Sequence, residues 1–173
     1  MTLTRLALPV VAGGLLASPA QAGEMVLNVT IPQIDATPYY RPYLAVWVET
    51  VEDKTPLATV AVWYDTRLRD DLGTSFLSNL RNWWRATGKE MTLPADGISG
   101  PTRGPGSHDI TLDGTSPGLA DLDPGQYTLA VEVAREDGAR DLVRLPFDWT
   151  GAAATASAKG TDELGALHLT VTP

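Results

Sequence analysis

Apolar and polar residues alternate with a period of two along most of this chain, the pattern of half-buried β-strands. Over residues 25–31, Leu27, Val29 and Ile31 share one face, and over 43–49 Leu44, Val46 and Val48 do. Residues 58–64 form a third, more continuously apolar run, with Val60 and Val62 opposite Ala61 and Trp63. Four further runs follow at 107–112, 126–134, 142–148 and 165–172. In the clearest of them, Tyr127, Leu129, Val131 and Val133 alternate with Thr128, Ala130, Glu132 and Ala134. Glu136-Asp137-Gly138-Ala139 supplies the turn that leaves it.

Between the third and fourth runs the period changes. Phe76, Leu77, Leu80, Trp83 and Trp84 fall at the spacing of an amphipathic helix over residues 74–87. Thr74 or Ser75 is the expected N-cap, and Gly88 the expected left-handed end. Phe76, Leu80 and Trp83 should then face a sheet, with Asn79 and Asn82 toward water. A Gly- and Pro-rich loop over 94–106 leads back to strands. Strands separated by turn signals, with one helix and no βαβ repeat, predict a mainly β fold: an immunoglobulin-like antiparallel β-sandwich with one amphipathic helix. The Ala-, Ser- and Thr-rich stretch 151–160 has nothing large to bury and is expected to be a mobile loop.

The N-terminus does not fit the β pattern. Arg5 is followed by an apolar run over residues 6–17 and then by Ser18-Pro19-Ala20-Gln21-Ala22, whose small residues match an A-x-A cleavage site. Residues 1–22 therefore read as a cleavable signal peptide, with Gly23 the first mature residue and 23–173 a single domain. The run is shorter than the about 20 residues that span a bilayer, so no membrane insertion is expected after cleavage. Export predicts a location outside the cytoplasm.

Composition narrows the chemistry. The absence of cysteine excludes disulfides, thiolate metal sites and a thiol nucleophile. The formal net charge of −8, one unit more negative without Arg5, argues against a nucleic-acid partner, which needs a basic face. His108 and His168 have no metal-ligand spacing. Ser99, His108 and Asp109 supply the letters of a hydrolase triad, but no G-x-S-x-G surrounds the serine, and adjacent residues of a strand point to opposite faces. Asp113, Asp121 and Asp123 lie among glycines without the spacing of a calcium loop and read as turn residues. No standard catalytic motif is present. The five tryptophans are a heavy aromatic load, explained either by core filling or by a planar ligand lying on some of them.

Several segments carry a family resemblance: residues 41–49 (RPYLAVWVE), Val62-Trp63, residues 80–85 with Trp83-Trp84, residues 96–106, and 125–132 (GQYTLAVE). From Arg41 onward their order resembles a family of predicted periplasmic proteins, domain of unknown function 2271. Residues 106–133 are also similar to immunoglobulin-like modules of the flagellar hook-capping type. Within these segments, Asp96-Gly97-Ile98-Ser99-Gly100-Pro101-Thr102 resembles the D-x-x-[S/T]-G-A-T signature at which a flavin transferase attaches FMN to threonine. The resemblance implies a covalent FMN on Thr102, with Asp96, Ser99 and Gly100 as the other signature positions. It also implies a flavin transferase and a membrane reductase as partners, and a role in extracytosolic electron transfer. Pro101 stands where the signature has alanine, which locks φ and removes an N–H. The rival expectation is a non-enzymatic periplasmic binding or assembly module of immunoglobulin-like fold.

Overall fold

A computed structural model describes residues 23–173; the expected signal peptide and its cleavage site before Gly23 lie outside the described residues. The chain runs β1 (Glu24–Ile31), β2 (Tyr43–Thr50), β3 (Pro56–Tyr64), α1 (Leu72–Ser75), α2 (Arg81–Ala86), β4 (Ser99–Pro101), β5 (Gly106–Asp113), β6 (Gly125–Ala134), β7 (Arg140–Trp149), β8 (Ala154–Lys159) and β9 (Ala166–Thr172), with short 3-10 turns around the helices. The strands form two sheets, one ordered β5-β1-β9-β8 and the other β4-β3-β2-β6-β7. The second order is that of the G-F-C-C′-C″ sheet of an immunoglobulin-like sandwich read from its far edge. Consistent with that, Tyr127 at the start of β6 donates its hydroxyl to the backbone oxygen of Asp123, four residues upstream, at 2.8 Å, the geometry of a tyrosine corner.

Alternation puts Met25, Leu27, Val29 and Ile31 of β1 and Leu167, Leu169 and Val171 of β9 on the inner face of one sheet. They pack against Leu44, Val46 and Val48 of β2 and Leu129, Val131 and Val133 of β6 on the other. The second sheet is buried on its outer face as well. Tyr43, Ala45 and Trp47 of β2 join Val62, Tyr64 and Ala130 there, and Leu77, Leu80 and Trp83 cover them. The protein is thus a sandwich with a third, partly helical layer, which is why seven consecutive residues of β2 are buried rather than every second one.

Four sequence expectations are corrected. First, the helix over 74–87 is broken into α1, a 3-10 turn over Phe76–Asn79 and α2, because Leu80 at φ −78° and ψ 71° leaves helical geometry. Its buried residues Leu77, Leu80 and Trp83 are three apart, the repeat of a 3-10 helix rather than of an α-helix. The hydroxyls of Thr74 and Ser75 do not cap; they donate back to the carbonyls of Asp71 and Leu72 at 2.7 and 2.6 Å. Gly88 opens another short 3-10 turn, where a Cβ would lie 2.6 Å from the Trp83 ring.

Second, Val60 and Val62 do not share a face. A register shift opposite Val46/Trp47 turns Val60 into the sandwich core beside Ala61, and Val62 faces the helical layer. Third, residues 154–159 of the expected mobile loop are the edge strand β8, pairing with β9 from Ala154↔Val171 to Lys159↔Ala166. Ala154, Ala156 and Ala158 pack on the core, apolar positions too small to stand out in the sequence. Fourth, the antiparallel rule has one exception: β4 pairs parallel with β3.

Candidate functional site

The loop 94–106, which contains the stretch that resembles the FMN-attachment signature, is ordered around β4. Ala95 and Ser99 close a turn: the Ala95 N–H donates to the Ser99 hydroxyl at 3.0 Å, and the Ser99 N–H donates to the Ala95 carbonyl at 2.9 Å. Gly97 takes φ +71° within that turn, a conformation that glycine adopts without a Cβ penalty. Asp96 beside it is exposed and makes none of the described hydrogen bonds, so Ser99 fixes the turn and Asp96 does not.

Beyond the turn the strand docks on the edge of β3. Val62 donates to the Ile98 carbonyl at 2.9 Å, and Thr102 donates to the Tyr64 carbonyl at 3.1 Å. Residues 98, 100 and 102 therefore turn their backbone polar groups to β3, and residues 99 and 101 turn theirs away. Pro101 occupies an outward position on an edge strand, where its missing N–H breaks no ladder bond. Gly100 lies opposite Trp63, and a Cβ there would sit at an ordinary 3.4 Å from that ring. Packing alone tolerates alanine at position 100.

Trp63 anchors the loop from below. His108 meets its ring edge-on at 5.9 Å between centroids, and the Arg103 guanidinium lies 5.4 Å from the ring centroid. Nε2 of His108 is 2.8 Å from the Gly104 carbonyl. On the opposite face of β5, Asp109 accepts a hydrogen bond from Asn28, so His108 and Asp109 are separated and the Ser99-His108-Asp109 arrangement does not assemble. Asp113 accepts the Thr115 N–H at 2.8 Å, as a turn aspartate does. Among the described residues no three His, Asp or Glu side chains converge as a metal site.

Thr102, half-buried at the end of β4, lines a cavity of about 490 Å³ at one end of the second sheet. Tyr39, Tyr40 and Arg41 enter it from the β1–β2 connection, and Tyr43 from the start of β2. Asp65, Arg67, Leu68, Leu72 and Phe76 come from the segment after β3, and Glu136 from the β6–β7 turn. Tyr43 and Phe76 form a parallel aromatic pair with centroids 6.3 Å apart. Burial, reinforced by the charges of Glu136 and Asp65, pushes the Tyr43 hydroxyl up to about 12, so it stays protonated. Tyr39 lies against the Arg135 guanidinium at 5.8 Å, and Arg135 is itself held by Glu163 at 3.0 Å in a pair 8% and 2% exposed. Burial raises the pKa of Tyr39 too, and its buried hydroxyl has no hydrogen-bond partner.

Of the residues lining this cavity, the sequence singles out Thr102 alone and none of the tyrosines. They come from connections that the fold brings to one end, and only the run Tyr39-Tyr40 in a Pro-rich linker hinted at them. The cavity thus brings together a threonine, aromatic rings, two guanidinium groups and the carboxylates of Asp65 and Glu136.

A β-sandwich presenting a ligand-sized cavity on its end loops is the class of protein that these features define. Residues 24–166 match the family described as predicted periplasmic protein, domain of unknown function 2271 (DUF2271), and the chain belongs to it. No curated protein and no solved structure matches the chain.

Proposed function

We propose that the chain is an exported carrier of covalently bound FMN, delivered by a cleavable signal peptide in residues 1–22 and modified on Thr102. The observation that carries this reading is the position of Thr102. It directly follows β4, where Pro101 takes an outward position without loss of a ladder bond, and it borders a cavity lined by tyrosines and arginines among other residues. The turn tied by Ser99 holds the signature in one shape, and Gly100 leaves the backbone open where packing did not require it.

In the modification, Oγ1 of Thr102 forms a bond to the phosphorus on the riboflavin side of FAD. The pyrophosphate P–O bond breaks, AMP leaves, and the hydroxyl proton passes to a base of the flavin transferase. No oxidation is involved. Such a step asks little of the acceptor beyond a hydroxyl held in line, with the transferase and its metal stabilising the charge. Once attached, FMN supplies one- and two-electron chemistry between a membrane reductase and an acceptor, while the protein supplies placement.

The test is peptide mass spectrometry across residues 96–103 after co-expression with a periplasmic flavin transferase and a known flavinylated protein as control. The expected result is an FMN mass on Thr102 that Thr102→Ala abolishes without unfolding the protein. Pro101→Ala should preserve or increase labelling. An unmodified Thr102 beside a fully modified control returns the function to a binding or assembly module that uses the exposed rim of the same cavity.

A further inference from the structure

Attachment at Thr102 needs only a hydroxyl, yet the cavity beside it has features that attachment leaves unexplained. Five large apolar residues are exposed among the described residues, and three of them, Tyr40, Leu68 and Leu72, border this one cavity. Val51 and Leu57 are the other two. Apolar side chains gathered at a cavity mouth mark a surface that something covers. The segment that joins Leu68 to Leu72 is also held against its backbone preference: Asp70 and Asp71 are consecutive non-glycine residues at φ 56° and 54°, directly before α1. Left-handed conformations at such residues persist where surrounding structure fixes them, and they cluster at ligand clamps.

The third feature is the Tyr39 hydroxyl, the sole buried side-chain polar atom among the described residues without a hydrogen-bond partner. A buried hydroxyl of that kind calls for a partner from outside the chain. The cavity volume of about 490 Å³ falls within the about 300–1,000 Å³ of small-molecule sites. Its walls come from three connections at one end of the sandwich, β1–β2, β3–β4 and β6–β7. By analogy of position they correspond to the loops that bind ligands in immunoglobulin variable domains.

Resting on the Thr102 reading, we propose that this cavity is the seat of the isoalloxazine ring. A flat heteroaromatic with one apolar edge and one edge of carbonyl and ring-nitrogen acceptors matches the mixture of apolar and donor side chains that lines it. Leu68, Leu72 and the Tyr43–Phe76 pair offer aliphatic and aromatic surface to the benzenoid edge. Arg41 and Arg67 offer hydrogen-bond donors to the acceptor edge, and Tyr40 is the exposed ring free to stack on the face. Thr102 then anchors the phosphate at the margin while the ring lies along the cavity.

The experiment has two readouts. In the flavinylated protein, flavin emission is compared between native and unfolded states, since stacking on tyrosine quenches it. In unmodified Thr102→Ala protein, riboflavin, which has no phosphate to be linked, is titrated to its solubility limit. Tyr40→Ala and Leu72→Ser change exposed residues and should fold, and Val51→Ser is the control on a distant surface. Expected is quenching in the native state or saturable riboflavin binding, weakened about tenfold, or about 1.4 kcal/mol, by each cavity variant and unchanged by the control. Riboflavin binding with that sensitivity, in a chain whose Thr102 stays unmodified, keeps the ring site and removes the covalent reading. A modified Thr102 whose flavin emits as brightly as in the unfolded chain, with no riboflavin binding, overturns the ring site and keeps the attachment. Quenching or binding that neither cavity variant alters also overturns it.

Discussion

The carboxylate of Glu132 accepts the backbone N–H of Trp83 at 2.9 Å across 49 residues of sequence. It also takes the N–H of Asn82 at 3.0 Å and its side-chain amide at 2.8 Å, with Nε of Arg140 at 3.5 Å. No local side chain caps α2, so a glutamate on the neighbouring sheet satisfies its first free N–H groups. Wholly buried, Glu132 pins the helical layer to β6.

Glu132→Ala should therefore lower unfolding free energy by about 2–4 kcal/mol, since hydrogen bonds to charged groups contribute about 1.5–3 kcal/mol each and the N–H groups are left unpaired. Urea denaturation measures the loss. Hydrogen exchange locates it, and the amides of Asn82 and Trp83 should lose protection first. A variant as stable as the parent, with those amides still protected, contradicts the capping role.

Leu80, fully buried between the two helical turns, makes a second test of that layer. Leu80→Ala should cost about 2–5 kcal/mol through lost burial and the cavity left behind. An unchanged thermal midpoint would mean that the layer does not hold the sheet.

A third test concerns acid. Burial pushes the Asp141 carboxyl up, but N–H donors from residues 161–164 and the Thr161 hydroxyl outweigh it, and its pKa lies below the ordinary 3.8. A folded-state pKa below the unfolded one gives stability that is present above pH about 4 and lost as pH falls through the folded value. The gap in urea midpoint between the parent and Asp141→Asn should accordingly be widest near neutrality and shrink below pH about 4. A gap constant from neutral pH to acid would show that the charge on Asp141 is not what ties the β8–β9 turn to β7.

Seven strands of the sandwich were legible because their alternation is strong, and the Tyr127 run announced the best of them. β8 was not legible, since alanine on its inward face gives no contrast with Ser and Thr on the other. The helical layer was legible as an apolar stripe but not in its breaks. Asn82, expected to face water, instead bonds a carboxylate fifty residues away that no local pattern announces. The same limit applies to the site. The stretch that carries Thr102, the residue proposed for modification, is a linear pattern, whereas the other residues lining the cavity converge from separate segments, a long-range arrangement without a linear signal.

The pairing of β1 with β9 has a consequence for how the chain reaches its structure. Glu24 stands opposite Thr172, and the Thr172 hydroxyl reaches the Glu24 carbonyl across 148 residues of sequence. β1 lies between β5 and β9, so both its neighbours are distant from it in sequence and the sheet closes only when β9 docks. Such non-local closure makes folding slow, in the millisecond-to-second range of other all-β domains. Until then the inner faces of the two sheets are only partly covered. Exposed apolar strand faces are the surface through which aggregation competes with folding, so the docking of β9 is the step at which that competition ends.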